Sequence, residues 1–229
     1  WAQTMLDYTL SWNEPNSHYL HISAHLANSS GTETQFRIPA WRPGRYVIQN
    51  YSKNVIDFQA VDGQGQALQV TREDKDTWRV SHDAGAAVTV RYRYYANRLD
   101  AGESYLDDAE CYVNPITSFV YIPGREMSPV NLRIEKPADW RVATSMIYRA
   151  EEERYHSENY HEFVDSPILI SPSFDFHTFP HGDTEIQIAI QGDGNYDPKK
   201  IVDDIRKIVV AQCELMQDQP TRPYLFMYH

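Results

Sequence analysis

The sequence predicts a mainly β protein: an antiparallel β-sandwich over residues 1–166, then a strand, a helix and a strand over 167–229 that open an α+β unit. Three observations carry this reading. Apolar and polar residues alternate with period two through most of the chain. Gly, Pro and Asp punctuate that alternation at short intervals, as in sandwiches of short strands. Only one stretch, beginning near residue 197, changes to a helical period.

The elements follow in order. In "YLHISAHL", Leu20, Ile22, Ala24 and Leu26 alternate with His21, Ser23 and His25, giving a strand with one apolar face. Val55–Ala60 and Ala67–Thr71 flank "DGQG", which reads as a hairpin turn. Val88, Val90, Tyr92 and Tyr94 alternate with Thr89, Arg91, Arg93 and Tyr95, and Asn131–Glu135 and Arg141–Ser145 flank the turn "KPADW". After residue 165 the pattern shifts. "EIQIAIQ" is one more alternating strand, and Asp197 can then cap a helix whose first turn suits Pro198. Ile201, Ile205, Ile208, Val209 and Met216 recur near the 3.6 period to about Gln217, Pro220 and Pro223 stop the helix, and "YLFMY" reads as a buried strand. The chain after residue 166 is expected to be too short to close a core of its own. There is no internal repeat.

Lys and Arg number 21 against 32 Asp and Glu, a net charge of −11, which argues against nucleic acid and anionic membranes as partners. No apolar run has the length of a membrane span. Cys111 and Cys213 lie far apart and outside any C-x-x-C pair, so both read as buried free thiols. The first residue is Trp1 rather than Met, which places the native start elsewhere and leaves room for a leader. The apolar ending "PYLFMYH" suggests a cut inside a folding unit.

Several groups invite a chemical reading. His161-Glu162-x-x-Asp165 is one residue short of the zinc motif H-E-x-x-H, but Pro167 pushes Ser166 out of the helical region and leaves at best a single turn. His21 and His25 share a strand face two pleats, or about 13 Å, apart, too far for one metal. His177 and His181 are four apart, but Pro180 argues against a continuous helix. Asp107, Asp108 and Glu110 form an acidic loop that can be plain solvated surface or can hold a cation or a substrate amine. In "PAWRPGRYVIQNY", Pro43-Gly44 signals a turn flanked by Trp41 and Tyr46, rings that either plug the end of the sandwich, the simpler physical reading, or line an interface. No phosphate-binding Gly-rich loop and no G-x-S-x-G elbow is present.

Trp41-x-Pro43-Gly44-x-Tyr46, Val55-Ile56-x-Phe58, Trp78-x-Val80, "YLDDAECYVNPITSFVYIPG", Val164-Asp165-Ser166-Pro167-Ile168 and "IVDDIRKIV" with "RPYLFMYH" occur in this order. As an ordered set they resemble the N-terminal β domain and the first helix and strand of the thermolysin-like catalytic domain in the glycyl aminopeptidase family of zinc metallopeptidases. Pro115 departs from the pattern, standing where a Gly is expected. The resemblance implies a complete enzyme that removes small N-terminal residues such as Gly or Ala from peptides with a free N-terminus. Its zinc, held by an H-E-x-x-H helix downstream of "YLFMYH", would activate water with a Glu as general base, and a PDZ-type domain commonly follows. It implies no zinc ligand and no catalytic residue in this chain, whose missing partner is the C-terminal catalytic region. Asp107, Asp108 and Glu110 are then candidates for a carboxylate wall facing the substrate amine. The alternative is a non-catalytic β-sandwich module that binds carbohydrate or protein through surface aromatics. An apolar, incompletely covered surface around Val202–Tyr228 would favour the enzyme.

Overall fold

The computed structural model describes residues 5–229. Trp1, and the reading placed on it, lies outside the described residues. The chain divides into two compact units, one running to Ala138 and including Met146–Leu169, the other comprising Asp139–Ser145 and Ile170–His229.

The strands in chain order are β1 (Leu6–Ser11), β2 (Tyr19–Leu26), β3 (Glu33–Arg37), β4 (Val55–Asp62), β5 (Gln69–Arg72), β6 (Thr77–Ser81), β7 (Val88–Tyr95), β8 (Tyr105–Leu106) and β9 (Cys111–Val113). There follow β10 (Val130–Ile134), β11 (Arg141–Ala143), β12 (Ile147–Arg149), β13 (Arg154–Ser157), β14 (Ile168–Ser171), β15 (Asp175–His181), β16 (Thr184–Ile190) and β17 (Tyr224–Tyr228). The α-helices are α1 (Pro115–Ser118), α2 (Tyr160–Val164) and α3 (Pro198–Met216). The molecule is mainly β, with several antiparallel sheets in a sandwich-like N-terminal part.

In the first unit a seven-stranded sheet runs β12-β13-β10-β1-β2-β7-β4. Its register aligns the apolar positions that the alternation marks: Ile22 lies opposite Leu10 on one side and Tyr92 on the other, and Ala24 opposite Tyr8 and Val90. All of these are buried, while His21, Ser23 and His25 point to the other face. A second sheet, β3-β6-β5, buries Phe36 and Val80. Phe58 of β4 stacks on Trp78 of β6 at 4.6 Å and on Tyr92 of β7 at 5.5 Å, joining the two layers. A bulge makes this contact: the β4–β7 register shifts between Ile56 and Gln59, with Asp57 in the left-handed region at φ 54°.

Two details differ from the sequence expectation. The "DGQG" turn forms, with the Asp62 carboxylate accepting from the Gln64 and Gln66 amides at 2.9 and 2.8 Å, and backbone bonds from Asp62 to Gln66 and from Leu68 to Ala60, both 2.9 Å, close a short hairpin around the bridge Val61–Ala67. Beyond this short hairpin β4 belongs to the large sheet and β5 to the small one, so the segment also carries the chain between layers. The β1–β10 pairing is parallel, an exception in a sheet read as wholly antiparallel.

Three buried tyrosines pin one segment between these elements. Tyr92 donates to the Ser118 carbonyl at 2.7 Å, Tyr160 to Phe119 at 2.7 Å, and Tyr8 to Val120. Buried carbonyls outside a ladder need such partners. The rings of Tyr8, Phe119 and Phe163 pack around the same point at about 5 Å. Pro115, where a Gly was expected, occupies the first turn of α1 behind Asn114, a position that suits its missing amide.

The second unit follows the sequence closely. β15 and β16 are antiparallel, and β16 connects through α3 to the parallel β17. Asp197 caps α3 through bonds from Lys199 and Lys200 at 2.9 and 3.3 Å, Pro198 enters its first turn, and Gln217 closes it in the left-handed conformation. Pro180 sits on β15, at the sheet edge, where a missing donor is tolerated. Contrary to expectation, this unit does bury a small core: Phe179, Ile186, Ile188 and Ile190 of the sheet pack with Ile205 and Val209 of the helix. Apolar side chains beside this core, at the end of α3 and on β17, stay bare, with Leu215 82% and Met216 72% exposed, and Ile208, Tyr224 and Tyr228 also exposed. Among the described residues no helix is long and apolar enough to cross a membrane.

Candidate functional site

The first unit carries a groove of about 830 Å³. One wall is residues 39–43, the opposite wall is the α2 region with His161, Val164 and Asp165, and Tyr112, Asn114 and Ile116 form part of its lining. The 39–43 wall is shaped by Pro43-Gly44. The Arg45 amide donates to the Arg42 carbonyl at 3.3 Å, with Gly44 at φ 80°, which is the geometry of a type II turn. This turn brings Trp41 and Arg42 to the groove and turns Tyr46 out to solvent, 87% exposed. Neither ring plugs the sandwich; Trp41, 47% exposed, lines the groove instead.

Arg42 is the wall's charged group. An alanine methyl placed on Gly102 would lie 2.5 Å from Arg42 Nη2, so the absence of a side chain at 102 makes room for the guanidinium. Gly102 is itself held by its amide bond to Asp100 Oδ1 at 2.7 Å. Tyr51 lies behind, 2% exposed. Burial raises the pKa of its hydroxyl, against the opposing field of Arg42. Tyr51 Oη and Arg42 Nε are both buried without a hydrogen bond of good geometry. The groove also has acids, Glu126 and Asp165.

The acidic loop lies elsewhere. Asp107, Asp108 and Glu110 sit on the turn between β8 and β9, and none lines the groove. Asp107 is occupied locally: it accepts from the Ala109 amide at 2.8 Å, the Glu110 amide at 2.9 Å and the Tyr105 hydroxyl at 2.8 Å. Burial tends to raise its pKa, but these bonds outweigh it and hold the carboxyl below the usual range. Glu110 is buried and Asp108 is exposed.

"HEFVD" is a helix of one turn and its cap. Asn159 accepts from the Glu162 amide at 3.0 Å, and the Glu162 carboxylate reaches back to the Glu158 amide at 3.1 Å, a variant of the capping box. Glu162 thus starts a helix that ends at Val164. His25 bonds Thr89 at 2.9 Å, and burial lowers the pKa of His21 with help from Arg93. His177 and His181 both lie on strand β15. Among the described residues no three His, Cys, Asp or Glu side chains lie close enough to hold a metal. The residues present do not fit a zinc site, and no step through zinc is assigned to them. Cys111 is buried and its thiol pKa is raised by that burial, whereas Cys213, expected to be buried, is only partly so.

Comparison with known proteins places this architecture. The Peptidase M61 N-terminal domain family matches residues 7–172. The chain belongs to that family. A similar solved structure is an aminopeptidase N family protein from Idiomarina loihiensis: 25% identical, TM-score 0.87, covering 97% of this chain and 39% of that one. An M1 zinc metallopeptidase mutant from Deinococcus radiodurans, bound to a Tyr-Ser-Ala substrate, shares the fold at 12% identity and TM-score 0.54, over 98% of this chain and 55% of that one. No curated protein matches the sequence. The M61 N-terminal chain therefore spans about two fifths and about half of these two structures.

Sequence reasoning missed the M61 groove because its parts are far apart. Arg42 and Gly102 meet only in the fold, and the local signal was Pro43-Gly44 alone.

Proposed function

We propose that this chain is the N-terminal part of a zinc aminopeptidase of the glycyl aminopeptidase type, which releases small residues such as Gly or Ala from peptides with a free N-terminus. Residues 1–166 would form its β domain and 167–229 the start of its catalytic domain. The observation that carries the reading is the family match over residues 7–172, which accounts for the whole sandwich. The Idiomarina aminopeptidase N family protein supports it, since the likeness continues over 97% of the chain. The bare apolar side chains at the end of α3 and on β17 are the kind of surface that another part of a protein covers.

In this reading the zinc and its activated water belong to residues outside this chain, and the chain's own task is to shape the substrate cleft. The groove beside Trp41 is large enough for a few residues of peptide. Of the acidic loop, Asp108 has the free exposure to meet a substrate amine, while Asp107 and Glu110 would act by holding the turn. The test is hydrolysis by the longer enzyme of Gly- and Ala-initiated peptides, with N-acetylated versions and a chelator as controls. Release of the first residue from free-amine peptides alone, stopped by the chelator, is expected. Cleavage of blocked peptides, or of none, would overturn the proposal.

A further inference from the structure

Among the described residues Arg42 has no carboxylate within 4.0 Å, in a chain where carboxylates outnumber cations, 32 to 21. Arg79, Arg93, Arg98 and Arg154 each have a carboxylate within 4.0 Å. Neighbouring Asp100 and Glu103 turn to Arg98, at 2.9 and 4.0 Å. Among the described residues Arg42 forms no such pair, although it lines the groove and has a place cleared for it by Gly102. The buried Tyr51 hydroxyl lies against this guanidinium, although neither it nor Arg42 Nε makes a hydrogen bond of good geometry. A guanidinium that lines a groove with no carboxylate within ion-pair distance keeps its planar fork available to an acceptor that arrives from outside.

We infer that the Arg42 end of the groove is a carboxylate subsite, in which the guanidinium takes a carboxylate of a bound peptide. Guanidinium suits this ligand because its planar fork matches a carboxylate at two points. Tyr51 is a positioning residue that backs the guanidinium. Glu126 and Asp165 on the same groove repel a second negative charge, so the subsite takes one carboxylate and rejects polyanions. The carboxylate is either the peptide's C-terminus or an acidic side chain. The identity of the ligand as a peptide rests on the aminopeptidase reading; the binding of a carboxylate does not.

Calorimetric titration of the 229-residue chain with Ala-Ala-Ala, its C-terminal amide, and the amide of Ala-Glu-Ala separates these cases. Binding of the free tripeptide about tenfold or more tighter than its amide is expected, as for a charge-assisted bond. Equally tight binding of the Ala-Glu-Ala amide assigns the subsite to acidic side chains. R42Q should erase the preference, and G102A, which crowds the guanidinium but keeps its charge, should weaken the carboxylate ligand and leave the amide unchanged. Thermal unfolding of each variant checks that it folds, and R42K, which keeps the charge but not the fork, should retain only part of the preference. Equal affinity for tripeptide and amide, absence of binding, or a preference that survives R42Q would overturn the inference. Failure of the longer enzyme to hydrolyse Ala-Ala-Ala amide would count against the peptidase reading alone.

Discussion

The Tyr160 hydroxyl donates to the Phe119 carbonyl at 2.7 Å, the middle bond of three that tyrosines make to consecutive carbonyls. Both partners are buried. Tyr160→Phe keeps the ring and orphans the carbonyl, so a loss of about 1–3 kcal/mol is expected. Urea unfolding of the two proteins measures it. An unchanged midpoint would show that water replaces the hydroxyl.

These tyrosines also set an alkaline limit. Burial pushes the pKa of Tyr94 up to about 12, and those of Tyr8 and Tyr160 well above the ordinary value. A folded pKa above the unfolded one, which is about 10, means that stability is full below that pH and declines as the pH rises towards the folded value. Unfolding free energy should therefore fall between about pH 10 and 12, and Tyr94→Phe should make that decline shallower. Denaturant titrations across the range, followed by tyrosinate absorbance, give both slopes.

The acidic loop should behave in the opposite sense. The Asp107 carboxyl has a depressed pKa, so its contribution is present above the unfolded value near 3.9 and is lost as the pH falls through the folded one. Asp107→Ala is expected to cost about 1 kcal/mol at neutral pH, the usual value of a turn or cap acceptor. The difference from the parent protein should vanish in acid. A constant difference at every pH would assign the effect to packing.

Gly44 has nothing within 4 Å of a would-be side chain, yet sits at φ 80°. Gly44→Ala should therefore cost about 1 kcal/mol through backbone strain alone. It should also shift Trp41 and Arg42, which the turn places. Thermal unfolding gives the first, and a weaker response of Trp41 fluorescence to bound peptide the second.

Exposed and buried apolar positions of α3 should differ sharply. Leu215→Glu, at the bare C-terminal end, is expected to stay within about 0.5 kcal/mol of the parent, whereas Val209→Ala, inside the small core, should cost about 1–3 kcal/mol. Equal losses, read by the melting of the helical circular dichroism signal, would mean that Leu215 is covered.

Local chemistry made much of the fold legible. The alternation of Leu20, Ile22, Ala24 and Leu26 became the buried face of β2, and Asp197 with Pro198 marked the start of α3 to the residue. The same alternation in Leu6, Tyr8 and Leu10 is visible in the sequence, but nothing local shows that this strand runs parallel beside Val130. The layer change after Asp62 was hidden for the same reason, since a turn motif does not say which sheet the chain enters next. At the site, turn chemistry could have warned that Asp107 binds its own loop. The placing of Arg42 on Gly102 had no such signal, because a missing side chain is informative only beside what fills its space.

The parallel pairing of Leu6 with Val130 has a kinetic consequence. On one side β1 can zip to β2 soon after both are made, but on the other it waits for a neighbour that leaves the ribosome far later. Contacts of such long separation in sequence slow folding, because the intervening loop must lose its freedom before the pairing repays it. During synthesis the early strands therefore spend a period with a bare flank, open to mispairing until residues 130–134 arrive.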